Sequence, residues 1–152
     1  MRAQSPDNWL QTTRVYLAVS AALHLGWEML QLPLYTIWRT GTPGEIAFAV
    51  IHCTAGDLMI ASLTLLIALL AFGHRAWPAE ASGSVITATI GLGAGYTVYS
   101  EWLNTTVRKS WAYTEMMPIV PGLGTGLSPL LQWLIVPAIA FAVAVRAKSR
   151  TA

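Results

Sequence analysis

Apolar residues fill four long blocks of the chain, 13–38, 45–72, 83–104 and 127–145. Polar and helix-breaking residues gather between them: RTGTPG after the first, GHRAWPAEASG after the second, VRKS after the third and VPGLGTG before the fourth. A helix needs roughly 20 residues to cross a hydrocarbon core about 30 Å thick, and each block has that length. Backbone groups in lipid must bond within their own segment, so each block is predicted as a helix. The expectation is all-α: a bundle of four transmembrane helices forming one integral membrane domain over residues 1–152. A cleavable signal peptide is the competing reading of the N-terminus, with Val15–Leu23 as its apolar stretch. The apolar run continues to Trp38, which favours a retained span.

Composition points the same way. Apolar residues make up 55% of the chain and charged residues 11%, with a mean hydropathy of +0.53. A soluble domain carries about 25% charged residues, so most of this surface is expected to face lipid. The single Cys53 rules out an internal disulfide framework and a paired-thiol zinc site. A net charge of +2 is too small, and too tied to the helix ends, to argue for nucleic acid. Arg2, Arg14, Arg75, Arg146, Lys148 and Arg150 fall on one side of the spans, against Arg39, Arg108 and Lys109 on the other. The positive-inside rule then puts both termini in the cytoplasm, and the aromatic, Pro- and Gly-rich segment 105–126 outside, as a lid over the outer mouth of the bundle. A compact chain without long loops fits a bacterial inner membrane.

The informative residues are those that are costly in lipid. His24 and Glu28 lie in the first span, His52 and Asp57 in the second, and Glu101 at the end of the third. An Asp at a helix centre costs roughly 2.5–3.5 kcal/mol on insertion scales, so these groups must face the bundle interior. At about 100° per residue, His24, Glu28, Gln31 and Tyr35 share one helix face and form a wall of a polar cavity. Cys53, Asp57 and Thr64 share a face of the second span, with His52 offset towards a neighbour. Thr97, Glu101 and Asn104 share a face of the third, just past a Gly91/Gly95 pair whose spacing allows close helix contact. Gln132 and Trp133 add polar and aromatic groups near the outer end of the last span, and Tyr96 and Trp111 are further aromatic candidates for ligand contact.

Several of these residues have a plainer reading. A lone intramembrane His or Glu can serve only to hydrogen-bond a neighbouring helix, and Glu101, near the interface, can be solvated or bond the lid. His74 and Glu80 are expected in an exposed loop. Trp38, Trp77, Trp102 and Trp111 read as interfacial anchors. Cys53 reads as a packing residue, since an apolar interior suppresses the thiolate. The sequon Asn104-Thr105-Thr106 is a pattern common by chance.

Two segments carry a family likeness. HLGWEMLQLPLY, with His24 and Glu28 four apart and Tyr35 following, resembles the first motif of the emopamil-binding protein group, also called EXPERA-domain proteins. QWLIVPAIAFAVAV, with Trp133 four residues before Pro137, is similar to that group's final helix. The two matches cover about a quarter of the chain, and the group includes sterol double-bond isomerases and the sigma-2 receptor. The resemblance implies a buried acid that protonates a carbon–carbon double bond, a base that removes a proton elsewhere, and an aromatic face that steadies the cation. His24 and Glu28 match the family's His and Glu, and Trp133 its cation-facing Trp. The further carboxylate that the resemblance implies on the second span has Asp57 as its candidate, an Asp where the family has Glu. Leu130 stands where the family has Asn, although Gln132 is close by.

Three classes of function follow. A carboxyl group in a low-dielectric pocket resists ionising and can act as a general acid, with a His one turn away to relay the proton. Such a pocket suits an isomerase or cyclase acting on an isoprenoid or sterol-like molecule from the lipid, with no cofactor. Alternatively, two His and three carboxylates offer nitrogen and oxygen ligands for iron or zinc, or a His pair for haem, although His24 and His52 are predicted at different depths. The third class is non-enzymatic: a lipid-binding protein or a subunit of a membrane complex. A transporter is disfavoured, because four helices without an internal repeat give little machinery for alternating access unless the chain forms a homodimer.

Overall fold

Pro33 decides where the first helix stops. The computed structural model describes residues 7–80 and 82–149. Arg2 and Arg150, and the side chain of Lys148, counted above for orientation, lie outside the described residues. Helix α1 spans Asp7–Gln31 and gives way to a 3-10 turn, Leu32–Leu34. Proline has no N–H to donate and pushes the preceding residue away from helical backbone, so the ladder breaks here. Tyr35 follows in extended backbone (φ −115°, ψ 145°), then a short helix α2, Ile37–Thr40. The continuous helix expected over 13–38 is therefore two pieces that start earlier and break at Gln31. Tyr35 leaves the helical face of His24, Glu28 and Gln31.

Helix α3, Pro43–Phe72, begins at a capping box: the Glu45 backbone N–H donates to Thr42 Oγ1 at 3.3 Å, and the Thr42 N–H to Glu45 Oε2 at 2.8 Å. Pro43 occupies the first turn, where its missing N–H costs nothing. Helix α4, Ser82–Trp102, runs into a π-helical turn, Leu103–Val107, past the expected end at Asn104. Helix α5, Leu127–Ser149, contains Pro137. The molecule is all-helical apart from its connections, and the described residues hold two isolated bridges, Tyr35 with Tyr113 and Ile119 with Gly126. Two of the helices, α3 and α5 over Leu127–Ala147, are long and apolar enough to cross a membrane.

The four long helices form a ring in which α1 packs on α3, α3 on α4, α4 on α5, and α5 closes back onto α1. At the end of the ring nearer the termini the centre is apolar: Tyr16 stacks on Phe141 (centroids 4.2 Å apart, 27° between planes), among Ala61, Leu65, Ala68, Val85 and Ala144. The outside is apolar too, with Phe48, Leu66 and Leu70 of α3, Leu92 and Tyr99 of α4 and Ile135 and Ile139 of α5 all exposed. At the other end α1 and α4 finish, α3 and α5 begin, and the interior turns polar.

The junction between the two halves is one close contact. A Cβ on Gly93 would stand 2.1 Å from Trp133 Cε3, so the indole occupies the space left by the missing side chain on α4. The sequence favours Gly91 and Gly95 for this role, yet a Cβ at either meets nothing within 4 Å. The reason is angular: Gly93 faces α5, and its neighbours two residues away face elsewhere. Gly93→Ala is expected to cost about 1–3 kcal/mol by overpacking, while Gly91→Ala and Gly95→Ala, with open space for the methyl, are expected to raise stability by up to about 1 kcal/mol. Thermal unfolding of the three variants in one detergent checks the contrast.

Candidate functional site

The side-chain amide of Gln132 is the centre of the polar half. Its Nε2 lies 2.9 Å from His24 Nδ1, 3.0 Å from Glu28 Oε1 and 2.9 Å from Asp57 Oδ2. Helices α1, α3 and α5 thus meet at one nitrogen. His24 and Glu28 reach it together because residues four apart on a helix are neighbours on its surface. Gln31, a turn further on, donates from Nε2 to Glu28 Oε1 at 2.8 Å and to Gln132 Oε1 at 3.3 Å. Gln31 Oε1 accepts from Ser128 Oγ at 2.9 Å, which in turn accepts from Trp27 Nε1 at 3.2 Å. Gln132 and His24 are buried, at 2% and 0% exposure.

Counting hydrogens shows what this cluster can do. The Gln132 amide nitrogen brings two hydrogens to three acceptor atoms, and an ionised carboxylate brings none. The set is complete only when His24 or a carboxyl group supplies one more. A hydrogen on His24 Nδ1, directed at Asp57 Oδ2 3.3 Å away, meets that need: Nδ1 then donates instead of accepting, and the two Gln132 hydrogens serve Glu28 and Asp57. The cluster therefore holds a proton with more than one place to rest, which is the property a general acid requires.

A second carboxyl stands on another wall. Glu101 of α4 is buried and accepts a hydrogen bond from the Tyr113 hydroxyl, whose oxygen also accepts from the Gly126 N–H at 3.0 Å. Burial and the adjacent carboxyl hold the Tyr113 phenol well above its ordinary pKa, so it remains a donor. Tyr35 packs against Tyr113 with ring centroids 5.5 Å apart. Both carboxyl stations line one cavity of about 1120 Å³, to which Tyr35, Trp111, Gln132 and Trp133 also contribute. Trp133 is nearly fully buried, its ring centroid 5.2 Å from that of His24.

The segment 108–126 is tied down mainly by backbone. Thr36 N–H donates to the Ala112 carbonyl at 2.9 Å, Thr114 N–H to Leu34 at 2.9 Å, and Leu127 N–H to Pro118 at 2.7 Å. Gly122 and Gly124, at φ 81° and 67°, take the left-handed backbone its turn needs. Outside, Arg39 of α2 grips Glu115 through two hydrogen bonds of 2.7 and 3.1 Å.

Not every candidate joins the site. His52 lies exposed on α3, stacked on Phe48 (5.4 Å, 18°), and lines the cavity on its outer flank, apart from His24. Tyr96 also lines that flank and is 46% exposed. Cys53 is a partly buried free thiol on the cavity wall. Trp111, read from sequence both as an anchor and as a ligand contact, is partly buried and lines the cavity. A haem held by a pair of His needs two imidazoles facing one space, and the buried His24 and the exposed His52 do not supply them. Among the described residues no group of three or more His, Cys, Asp or Glu side chains is arranged to hold a metal ion. Sequence reasoning missed Tyr113, Ser128 and Gly93. Ser128 was open to detection, being four residues before Gln132 and so on its face of α5. Tyr113 carries no local signal beyond its aromatic surroundings.

No protein-family model, curated protein or solved structure matches the chain.

Two predictions follow from this geometry. Gln132→Leu removes the amide that joins Glu28 and Asp57 beside the buried His24, and is expected to cost about 1–3 kcal/mol, read as a lowered unfolding temperature. The second concerns pH. Hydrogen bonds from Arg39 and from its own backbone hold the Glu115 carboxyl below its ordinary pKa. A depressed value means that the contact contributes fully above the ordinary carboxylate range and is lost as pH falls through the lowered value. Both side chains are exposed, so salt weakens the pair as well. Hydrogen exchange in 108–126, corrected for intrinsic rate, should rise on acidification or added salt and stay level from neutral to alkaline pH.

Proposed function

We propose that the chain is a four-span integral membrane protein, its termini cytoplasmic, that isomerises or cyclises an alkene-bearing isoprenoid or sterol-like lipid by acid–base chemistry. The observation that carries this reading is the pair of carboxyl stations, Glu28 with Asp57 and the Tyr113-bonded Glu101, whose three carboxyl residues line one cavity beside a buried indole. The first station gives its proton to one carbon of a double bond, forming a carbocation at the other carbon. The face of Trp133 stabilises that charge, an effect of about 2 kcal/mol or more when water is excluded. Loss of a proton from an adjacent carbon to Glu101 restores a double bond at a new position. In a cyclisation, a second double bond of the same molecule attacks the cation before that loss.

The cavity's flank supports delivery from lipid. Phe48, Met59 and Tyr96 line it and are exposed on the apolar exterior between α3 and α4. The resemblance to the emopamil-binding group in HLGWEMLQLPLY and QWLIVPAIAFAVAV supports the same chemistry, with Asp57 for Glu and Leu130 for Asn favouring a different substrate. The all-round apolar exterior and the distribution of Lys and Arg support four spans in a bacterial inner membrane.

Native mass spectrometry of the detergent-purified protein, with metal analysis on the same sample, is the test. The expected result is a co-purified isoprenoid or sterol-like lipid that persists without metal. Glu28→Gln is expected to keep the lipid and to slow its conversion by about 10²-fold or more. Undiminished conversion in that variant, or a stoichiometric metal lost in a His24 variant, would overturn the reading. For orientation, a C-terminal reporter active only in the cytoplasm should be active.

A further inference from the structure

One nitrogen of His24 is unused. Its Nδ1 faces Gln132 and Asp57, while Nε2, fully buried, has no hydrogen-bond partner. The Ser20 and Tyr16 hydroxyls, one and two turns earlier on the same helix, are likewise buried and have no well-formed hydrogen bond, the two lying beside each other. Each buried polar group left alone costs about 1–3 kcal/mol, so three in a row on one face, at spacings of four, is a costly arrangement. Small hydroxyls and an imidazole nitrogen at such spacing are the two to four partners that a buried water takes.

The row has a far end. Tyr16 belongs to the same core as Trp77, whose buried Nε1 also lacks a partner. Trp77 lines a recess of about 360 Å³ with His74, Arg75 and Trp9, on the side of the bundle opposite the acid cluster. There His74 pairs with Glu80 at 3.1 Å, placing two titratable groups at the opening.

A two-station reaction needs such a route. After each turnover the first station has lost a proton and Glu101 has gained one, and the pair must be reset before the next substrate. Glu101 can release its proton past Tyr113 towards the connecting segment. The first station is bonded instead to Gln132 and His24 of α5 and α1, and needs a supply of its own.

We propose that Tyr16, Ser20 and His24, completed by bound water, form a proton-entry file from the recess at Trp77 to Asp57. A proton arriving at Nε2 makes His24 an imidazolium, and the hydrogen on Nδ1 then passes to Asp57 Oδ2. The ring is left neutral with its hydrogen on Nε2, and one proton has moved inward. Asp57, Glu28, Gln132 and Trp133 surround the receiving side, while Tyr16 and Ser20 act only through His24. The purpose of the file rests on the acid–base reading above, but its existence does not.

The test therefore uses a readout independent of turnover. In full-length protein labelled with 15N-histidine in lipid nanodiscs, the His24 signals are assigned by their loss in His24→Gln. The expected result is that Ser20→Ala and Tyr16→Phe each shift the His24 Nε2 resonance and leave those of His52 and His74 in place. Where conversion is measurable, both variants should lower kcat and raise its solvent deuterium isotope effect with KM kept. Truly isolated hydroxyls behave in the opposite way: removing them raises the unfolding temperature and leaves His24 unmoved, and that outcome would refute the file whether or not the protein proves to be an isomerase.

Discussion

A single amide nitrogen, Gln132 Nε2, holds three helices to one point. Where the surroundings of a bundle are as apolar as its side chains, burying those side chains gives helices little reason to associate, and close packing and interhelical hydrogen bonds take over. The exterior of this bundle is apolar on α3, α4 and α5. In such surroundings its association would depend on the Gln132 cluster at one end and on stacked Tyr16 and Phe141 at the other. The placement of the remaining polar groups follows. Gln31 can orient Glu28 only because Gln132 fixes both, and Ser128 and Trp27 extend the same chain of bonds towards the rim.

The two carboxyl stations differ in how they are held. Glu28 and Asp57 are fixed by groups on long helices, so their geometry is as firm as the bundle. Glu101 is itself on a helix, but its partner Tyr113 comes from a connecting segment whose anchors are backbone bonds to residues 34 and 36 and an exposed ion pair. Surface pairs of that kind contribute little. One station is therefore preorganised, while the other is completed only when the segment is in place.

Much of this was legible in sequence, and the failures have physical reasons. The four blocks and their polar interruptions mark the four long helices to within a few residues, except where Pro33 cuts the first. Proline inside an apolar block is ambiguous: Pro137 sits within α5 and Pro33 ends α1, and local sequence does not separate the two outcomes. His24, Glu28, Gln31, Asp57 and Gln132 converge because polar side chains on otherwise apolar helices turn towards one another and the interior is small. His52 is the exception, since an imidazole can stack on a neighbouring ring at the flank of a cavity and so tolerate exposure to an apolar face. Which glycine admits the indole could not be read from spacing, as Gly91, Gly93 and Gly95 differ only in rotation about the helix. Tyr113 was invisible for another reason: its reach to Glu101 depends on the path of a segment without periodic structure.

The seat of Trp133 on Gly93 has one more consequence. With its indole against main chain, that wall of the cavity has no room to yield, whereas the wall formed by residues 32–36 and 108–114 is joined by a few hydrogen bonds between short strips of backbone. Adaptation to molecules of different girth is thus confined to the second wall. Descendants of this chain could change their ligand range by editing a connecting segment, leaving the helices and the chemistry they hold untouched.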